Sequence, residues 1–85
     1  MHKDHLCSIP PADGQPGLEL VWLEDCQPAL DQGVACAERW LVRRNGPLWT
    51  AFILGREEQP GGHRQTAFDV GFLTRLQQRL MAIDH

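Results

Sequence analysis

Residues 39–54, Arg39-Trp40-Leu41-Val42-Arg43-Arg44-Asn45-Gly46-Pro47-Leu48-Trp49-Thr50-Ala51-Phe52-Ile53-Leu54, decide how this chain is read. Asn-Gly is favoured in two-residue type I′ hairpin turns, because both central residues of such a turn need positive φ. Strand-like runs flank the dipeptide, so the stretch predicts an antiparallel hairpin, with one strand over Val34 to Arg43 and the next running from Leu48 to Leu54. With Asn45 and Gly46 in the turn, Val42 faces Trp49, Trp40 faces Ala51, Leu41 faces Thr50, Arg43 faces Leu48 and Arg39 faces Phe52.

A helix from Pro28 to Arg43 competes with the first of these strands, since Leu30, Val34, Ala37 and Leu41 recur at helical spacing. The strand is preferred because a helix would carry Gly33 in its interior and forfeit the turn between two β-favouring runs.

Working outward, Leu18 to Glu24 reads as an earlier strand, with Leu18, Leu20 and Trp22 on one face and Glu19, Val21 and Leu23 on the other. Residues 1–17 contain Ile9-Pro10-Pro11-Ala12-Asp13-Gly14-Gln15-Pro16-Gly17, which suits an extended or turning, partly mobile arm. Asp25 to Gly33 is a connector with room for one helical turn after Pro28. Gly55 to Gln65 reads as a polar loop. A helix is expected over Ala67 to Ile83, with Thr66 and Asp69 as caps. Phe72, Leu73, Leu76, Leu80 and Ile83 would form its apolar stripe, and Thr74, Arg75, Gln77, Gln78 and Arg79 would face water. The expected fold is α+β: a three-stranded antiparallel β-meander with one C-terminal α-helix packed on one face. Residues 1–17 form the arm and residues 18–85 a single small domain.

Eighty-five residues bury only a thin core, so a second chain would add useful stability. Hydrophobic residues at 42% with charged residues at 22% are ordinary for a globular domain. The apolar runs Leu20 to Leu23 and Ala51 to Leu54 are far too short to span a bilayer. The charged opening Met1-His2-Lys3-Asp4-His5 offers no secretory signal, so a cytoplasmic place is expected. Cys7, Cys26 and Cys36 are odd in number and form no Cys-x-x-Cys pair, which fits packed, reduced thiols rather than a disulfide framework.

The expected meander has more apolar surface than one helix can cover. Trp40, Val42, Trp49 and Ile53 lie on one face, and Leu41, Leu48, Phe52 and Leu54 on the other. The N-terminal arm, a helical connector or another chain must cover the surplus. The reading that follows is a small non-enzymatic protein-binding or regulatory module, whose partner is another protein or a second copy of itself in a homodimer. Its docking face would hold Arg39, Leu41, Arg43, Leu48, Thr50 and Phe52, an apolar centre with a guanidinium rim. On this reading Phe52→Asp abolishes binding and leaves a folded monomer.

The alternative is a nucleic-acid-binding module using the Arg- and Trp-rich hairpin. Net charge of −3 opposes it, and in this register Trp40 and Trp49 face away from Arg39 and Arg43. No cofactor or metal is expected. His2, His5 and Cys7 are ligand types for zinc, but the chain offers no second paired motif to complete a site. His63 with Asp25 and Cys26 could be drawn as a nucleophile with its base, yet no motif for nucleophilic or phosphate chemistry accompanies them.

Three strands followed by a helix, with three tryptophans, resemble the MbtH-like partners of peptide synthetases and the later part of a double-stranded-RNA-binding domain. The Asn-x-Glu-x-Gln-x-Ser-x-Trp-Pro pattern of the former is absent. So is the basic helix start of the latter, this helix opening Thr66-Ala67-Phe68-Asp69. The sequence alone assigns no family.

Overall fold

A computed structural model describes residues 5–22, 24–43 and 46–83. Among them the chain forms β1 (His5–Ile9), β2 (Leu18–Trp22), α1 (Gln27–Arg43), α2 (Leu48–Glu57) and α3 (His63–Ile83). The expected three-stranded meander is therefore wrong. Its second and third strands are helices, and the sheet is a two-stranded hairpin built from the N-terminal segment.

The hairpin's turn is at Asp13-Gly14. Both residues have positive φ, 55° and 76°, as a primed two-residue turn requires. Ala12 and Gln15 close it with two backbone hydrogen bonds, 3.2 and 2.9 Å. The strands pair His5 with Trp22, Leu6 with Val21, Cys7 with Leu20, Ser8 with Glu19 and Ile9 with Leu18. Alternation then sends Cys7, Ile9, Leu18, Leu20 and Trp22 inward, while Leu6, Ser8, Glu19 and Val21 face water. Residues 5–17, expected as an arm, thus supply β1 and the turn, and the strand expected at Leu18 is β2.

Helix α1 takes the residues for which helix and strand competed. Asp25 accepts a hydrogen bond from the Gln27 backbone N–H at its start (3.2 Å), and Pro28 sits in the first turn, where its missing N–H costs nothing. Ala29, Leu30, Gly33, Cys36 and Ala37 are its buried residues, a helical rather than an alternating pattern. Gly33, counted against a helix, is instead what lets this one pack. A Cβ on Gly33 would collide with the Phe68 carbonyl of α3, and one on Gly71 would collide with the Leu30 carbonyl of α1. The two glycines bring the helix backbones together, and this crossing is the most extensive contact in the molecule.

Arg44 and Asn45 of the expected turn lie outside the described residues. Gly46 belongs to the connector between α1 and α2, where its carbonyl accepts the Trp40 indole N–H at 3.2 Å. The proposed cross-strand pairs across Asn45-Gly46 do not exist, because both partners of each are helical. Helix α2 also absorbs the start of the expected polar loop, which shrinks to the residues between Glu57 and His63.

The core has two parts. Cys7, Ile9, Cys26, Ala29, Leu30 and Ala67 pack with Leu18, Leu20, Trp22, Val34 and Val70 beneath the hairpin. Cys36, Ala37, Phe68 and Phe72 pack with Leu48, Phe52 and Leu76 beneath α2. Phe52 lies 5.0 Å from Phe72 and 6.2 Å from Phe68 between ring centroids, so it belongs to the chain's own core.

Polar ties hold the hairpin down. The Gln27 side chain accepts from the Ser8 N–H (2.8 Å) and donates to its carbonyl (2.9 Å), standing in for a third strand at the β1 edge. Arg75 pairs with Asp13 of the turn at 2.9 Å and with Glu38 of α1 at 3.0 Å. Gln78, expected to face water, is buried and donates to the carbonyls of Pro10 and Pro16. Thr66 and Asp69 are not caps: α3 begins at His63, and Asp69 pairs with Arg56.

Candidate functional site

Helix α2 is the anomalous element. Its sequence, Leu-Trp-Thr-Ala-Phe-Ile-Leu-Gly-Arg-Glu, is almost wholly apolar over seven residues, yet none of its residues is buried. Leu48 and Phe52 point towards Phe68 and Phe72, and the Ala51 carbonyl accepts the Cys36 thiol at 3.6 Å. Gly55 also lies against the Phe68 ring and Cys36, whereas Trp49, Ile53 and Leu54 are exposed. Helices that are apolar all round normally lie within a larger core. Here Trp49, Ile53 and Leu54 are left exposed by the chain's own core.

Two outward surfaces flank α2. The first is reached through Arg56, whose Nε donates to both carboxylate oxygens of Asp69 on α3 at 3.0 Å. Trp49, Ile53 and Arg56 are spaced i, i+4, i+7 and share one side of α2. Asp69, Leu73, Leu76 and Leu80 follow the same spacing on α3. The ion pair therefore joins two apolar stripes into one flank. Trp49 is 68% exposed, Leu73 56% and Leu80 63%, so these side chains are surface and not core. Leu73 and Leu80 were expected within the buried stripe of this helix, and of that stripe Phe72 is buried and Leu76 half-buried. The Ile83 side chain lies outside the described set.

The second surface is a groove of about 450 Å³ between α1 and α2, lined by Cys36, Arg39, Trp40, Arg43, Leu54 and Glu58 among others.

The residues expected to meet a partner are separated by the fold. Arg39 and Arg43 are exposed on α1, and both line the groove. Leu41 is half-buried on α1. Leu48, Thr50 and Phe52 are half-buried on α2, Leu48 and Phe52 against the aromatic cluster. They do not form one sheet face, because there is no such sheet. The Arg- and Trp-rich hairpin of the nucleic-acid alternative is likewise absent. Sequence reasoning placed Trp49 and Ile53 on one face of a strand and did not find the flank, although their i, i+4 spacing was the available signal.

The remaining chemical candidates are placed elsewhere. His2 lies outside the described residues, while His5 is half-buried and Cys7 buried on β1. His63 Nδ1 accepts the Trp22 indole N–H at 3.4 Å, and Asp25 is engaged at the start of α1. Cys26 is buried, and desolvation pushes its thiol above the ordinary value, with Glu24 and Cys7 adding to the shift and Arg64 opposing it. A protonated, enclosed thiol is a packing group and a poor nucleophile. Among the described residues, no three His, Cys, Asp or Glu side chains come together as metal ligands, and no helix is long and apolar enough to cross a membrane.

Comparison with known proteins adds the remaining facts. The family model described as LasR-specific antiactivator QslA matches residues 11–80. No curated protein matches the chain. A chain in the crystal structure of a LasR LBD-QslA complex from Pseudomonas aeruginosa is 56% identical to this one, with a TM-score of 0.87. The alignment covers 92% of this chain and 84% of that one.

Proposed function

The chain belongs to the LasR-specific antiactivator QslA family, and from that membership we propose that it is a non-enzymatic regulator that binds the ligand-binding domain of a LasR-type activator. The observation that carries this reading is 56% identity along 92% of the chain with a protein crystallised in a LasR LBD-QslA complex. The exposed side chains of Trp49, Ile53, Leu73 and Leu80 are consistent with such a function: large apolar groups, a tryptophan among them, on a domain too small to cover them. Binding a LasR-type activator inside the cell would place the protein in the cytoplasm.

The test is calorimetric titration of the chain into the LasR ligand-binding domain from Pseudomonas aeruginosa. Saturable binding is expected, with Trp49→Asp and Leu73→Asp each weakening it at least about tenfold, the loss typical of a central interface anchor. No heat from the unsubstituted chain would reject the partner. Unchanged affinity in both variants would reject the flank and leave the partner standing.

A further inference from the structure

The groove between α1 and α2 lies on the side of α2 away from Trp49, and two adjacent arginines line it without an ion-pair partner among the described residues. Arg56, Arg75 and Arg79 are all held in ion pairs with carboxylates of the chain. Arg39 and Arg43, like Arg64 beside a different cavity, have no such partner among the described residues, although the chain carries eleven acidic residues against eight basic ones. They stand one helical turn apart on α1, with Cβ atoms about 6 Å from each other, and both line the groove. Between and below them are apolar groups: Trp40, fixed by its indole hydrogen bond to the Gly46 carbonyl, Leu54 and the buried Cys36. Glu58 is the acidic lining residue.

We propose that this groove is a second docking site, which takes an acidic, apolar segment of a partner protein: two carboxylates about 6 Å apart on Arg39 and Arg43, and an aliphatic side chain against Trp40 and Leu54. Residues i and i+4 of a helix, or i and i+2 of a strand, present carboxylates at that separation. The volume, about 450 Å³, accommodates a few side chains, and the groove is open to solvent, which suits a continuous segment rather than an enclosed small molecule. An extended polyanion is a poor fit. Nucleic acid binding draws on many phosphate contacts, whereas this site offers two guanidiniums beside Glu58 on a chain of net charge −3. The proposal needs neither the LasR-type partner nor the Trp49 flank.

The probe is an eight-residue peptide alternating leucine with glutamate, blocked at both ends, compared with its glutamine counterpart. Both are titrated into the ¹⁵N-labelled full chain, whose indole N–H signals separate Trp40 from Trp22 and Trp49. The glutamate peptide should shift the Trp40 indole and backbone signals within residues 36–43 and 51–58, bind at least tenfold more tightly than the glutamine peptide, and weaken as salt shortens the Debye length. The double variant R39E/R43E should keep a dispersed spectrum and lose these shifts. If the double variant unfolds, R39Q and R43Q taken singly should each lower the affinity several-fold. No shifts at millimolar glutamate peptide, equal binding of the two peptides, shifts confined to Trp49 and the α3 flank, or self-association that occupies the groove would each overturn the proposal.

Discussion

Where α1 crosses α3, Gly33 and Gly71 let two backbones touch, and Leu30, Ala37, Ala67, Phe68 and Phe72 around them are removed from water. Helix α2 follows α1 closely in the chain and is richer in large apolar residues, yet it buries none of them completely. The crossing uses small residues to gain contact, whereas α2 uses large residues that its own domain leaves half-covered. Ten residues make a marginal helix in isolation, so α2 persists through Leu48, Phe52 and the Arg56–Asp69 pair. Apolar content alone does not say where stability resides. The crossing carries the fold, and α2 displays a surface.

The hardest test of that division is Gly71→Ala. Helix propensity favours alanine over glycine by about 1 kcal/mol, so an open site would be stabilised. Here the new methyl meets the Leu30 carbonyl, a backbone atom that moves only if α1 moves. A net loss of about 3 kcal/mol is expected, or roughly 12–24 °C in melting temperature for a domain of this size. A thermal midpoint equal to or above that of the unsubstituted chain would show that the helices are not in backbone contact.

A second test stays within α2, where Phe52 packs on Phe68 and Phe72 while Trp49, three residues earlier, is exposed. Phe52→Asp sets a carboxylate against Phe68 and Phe72 and should cost about 3 kcal/mol, so it reports on folding and not on binding as the hairpin reading had it. Trp49→Asp should change stability by no more than about 0.5 kcal/mol. Urea unfolding of the two variants side by side decides the matter. Equal losses would mean that α2 has no inner and outer side.

Parts of this architecture were legible before the structure. The apolar alternation of Leu18, Leu20 and Trp22 located β2, and the periodicity after Ala67 located most of α3. The hairpin was misplaced because two dipeptides carry the same turn chemistry. Asp13-Gly14 is surrounded by Pro10, Pro11 and Pro16, which read as irregular chain, whereas Asn45-Gly46 is surrounded by residues that fill strands well. Gly33 misled for a different reason: a glycine inside a helical pattern is a cost locally, and its benefit appears only when Gly71, 38 positions later, is seen opposite it. The flank was the least accessible feature. Trp49 to Leu54 is apolar at every position but Thr50, so the i, i+4 spacing of Trp49 and Ile53 is masked by the apolar residues between them, and the Arg56–Asp69 pair that ties α2 to α3 is not visible in the sequence. Length and charge excluded much but could not point to a particular partner.

The smallest expected effect sharpens the dry side of the comparison. Cys26 sits just before α1 in the core beneath the hairpin, and burial raises its thiol pKa, with Glu24 and Cys7 acting in the same direction. A group whose pKa is higher folded than unfolded binds its proton more tightly in the folded state. Its contribution is therefore complete below the ordinary thiol value, about 8.5, and is lost as pH rises through the folded value. Stability of the unsubstituted chain should fall above that pH more steeply than stability of Cys26→Ser, which has no thiol to ionise there. The measurement is the urea midpoint of both proteins from neutral pH to about pH 10, the range in which an ordinary thiol and a raised one part company. Parallel curves would mean that water reaches Cys26 and that the hairpin does not seal the end of the α1–α3 crossing.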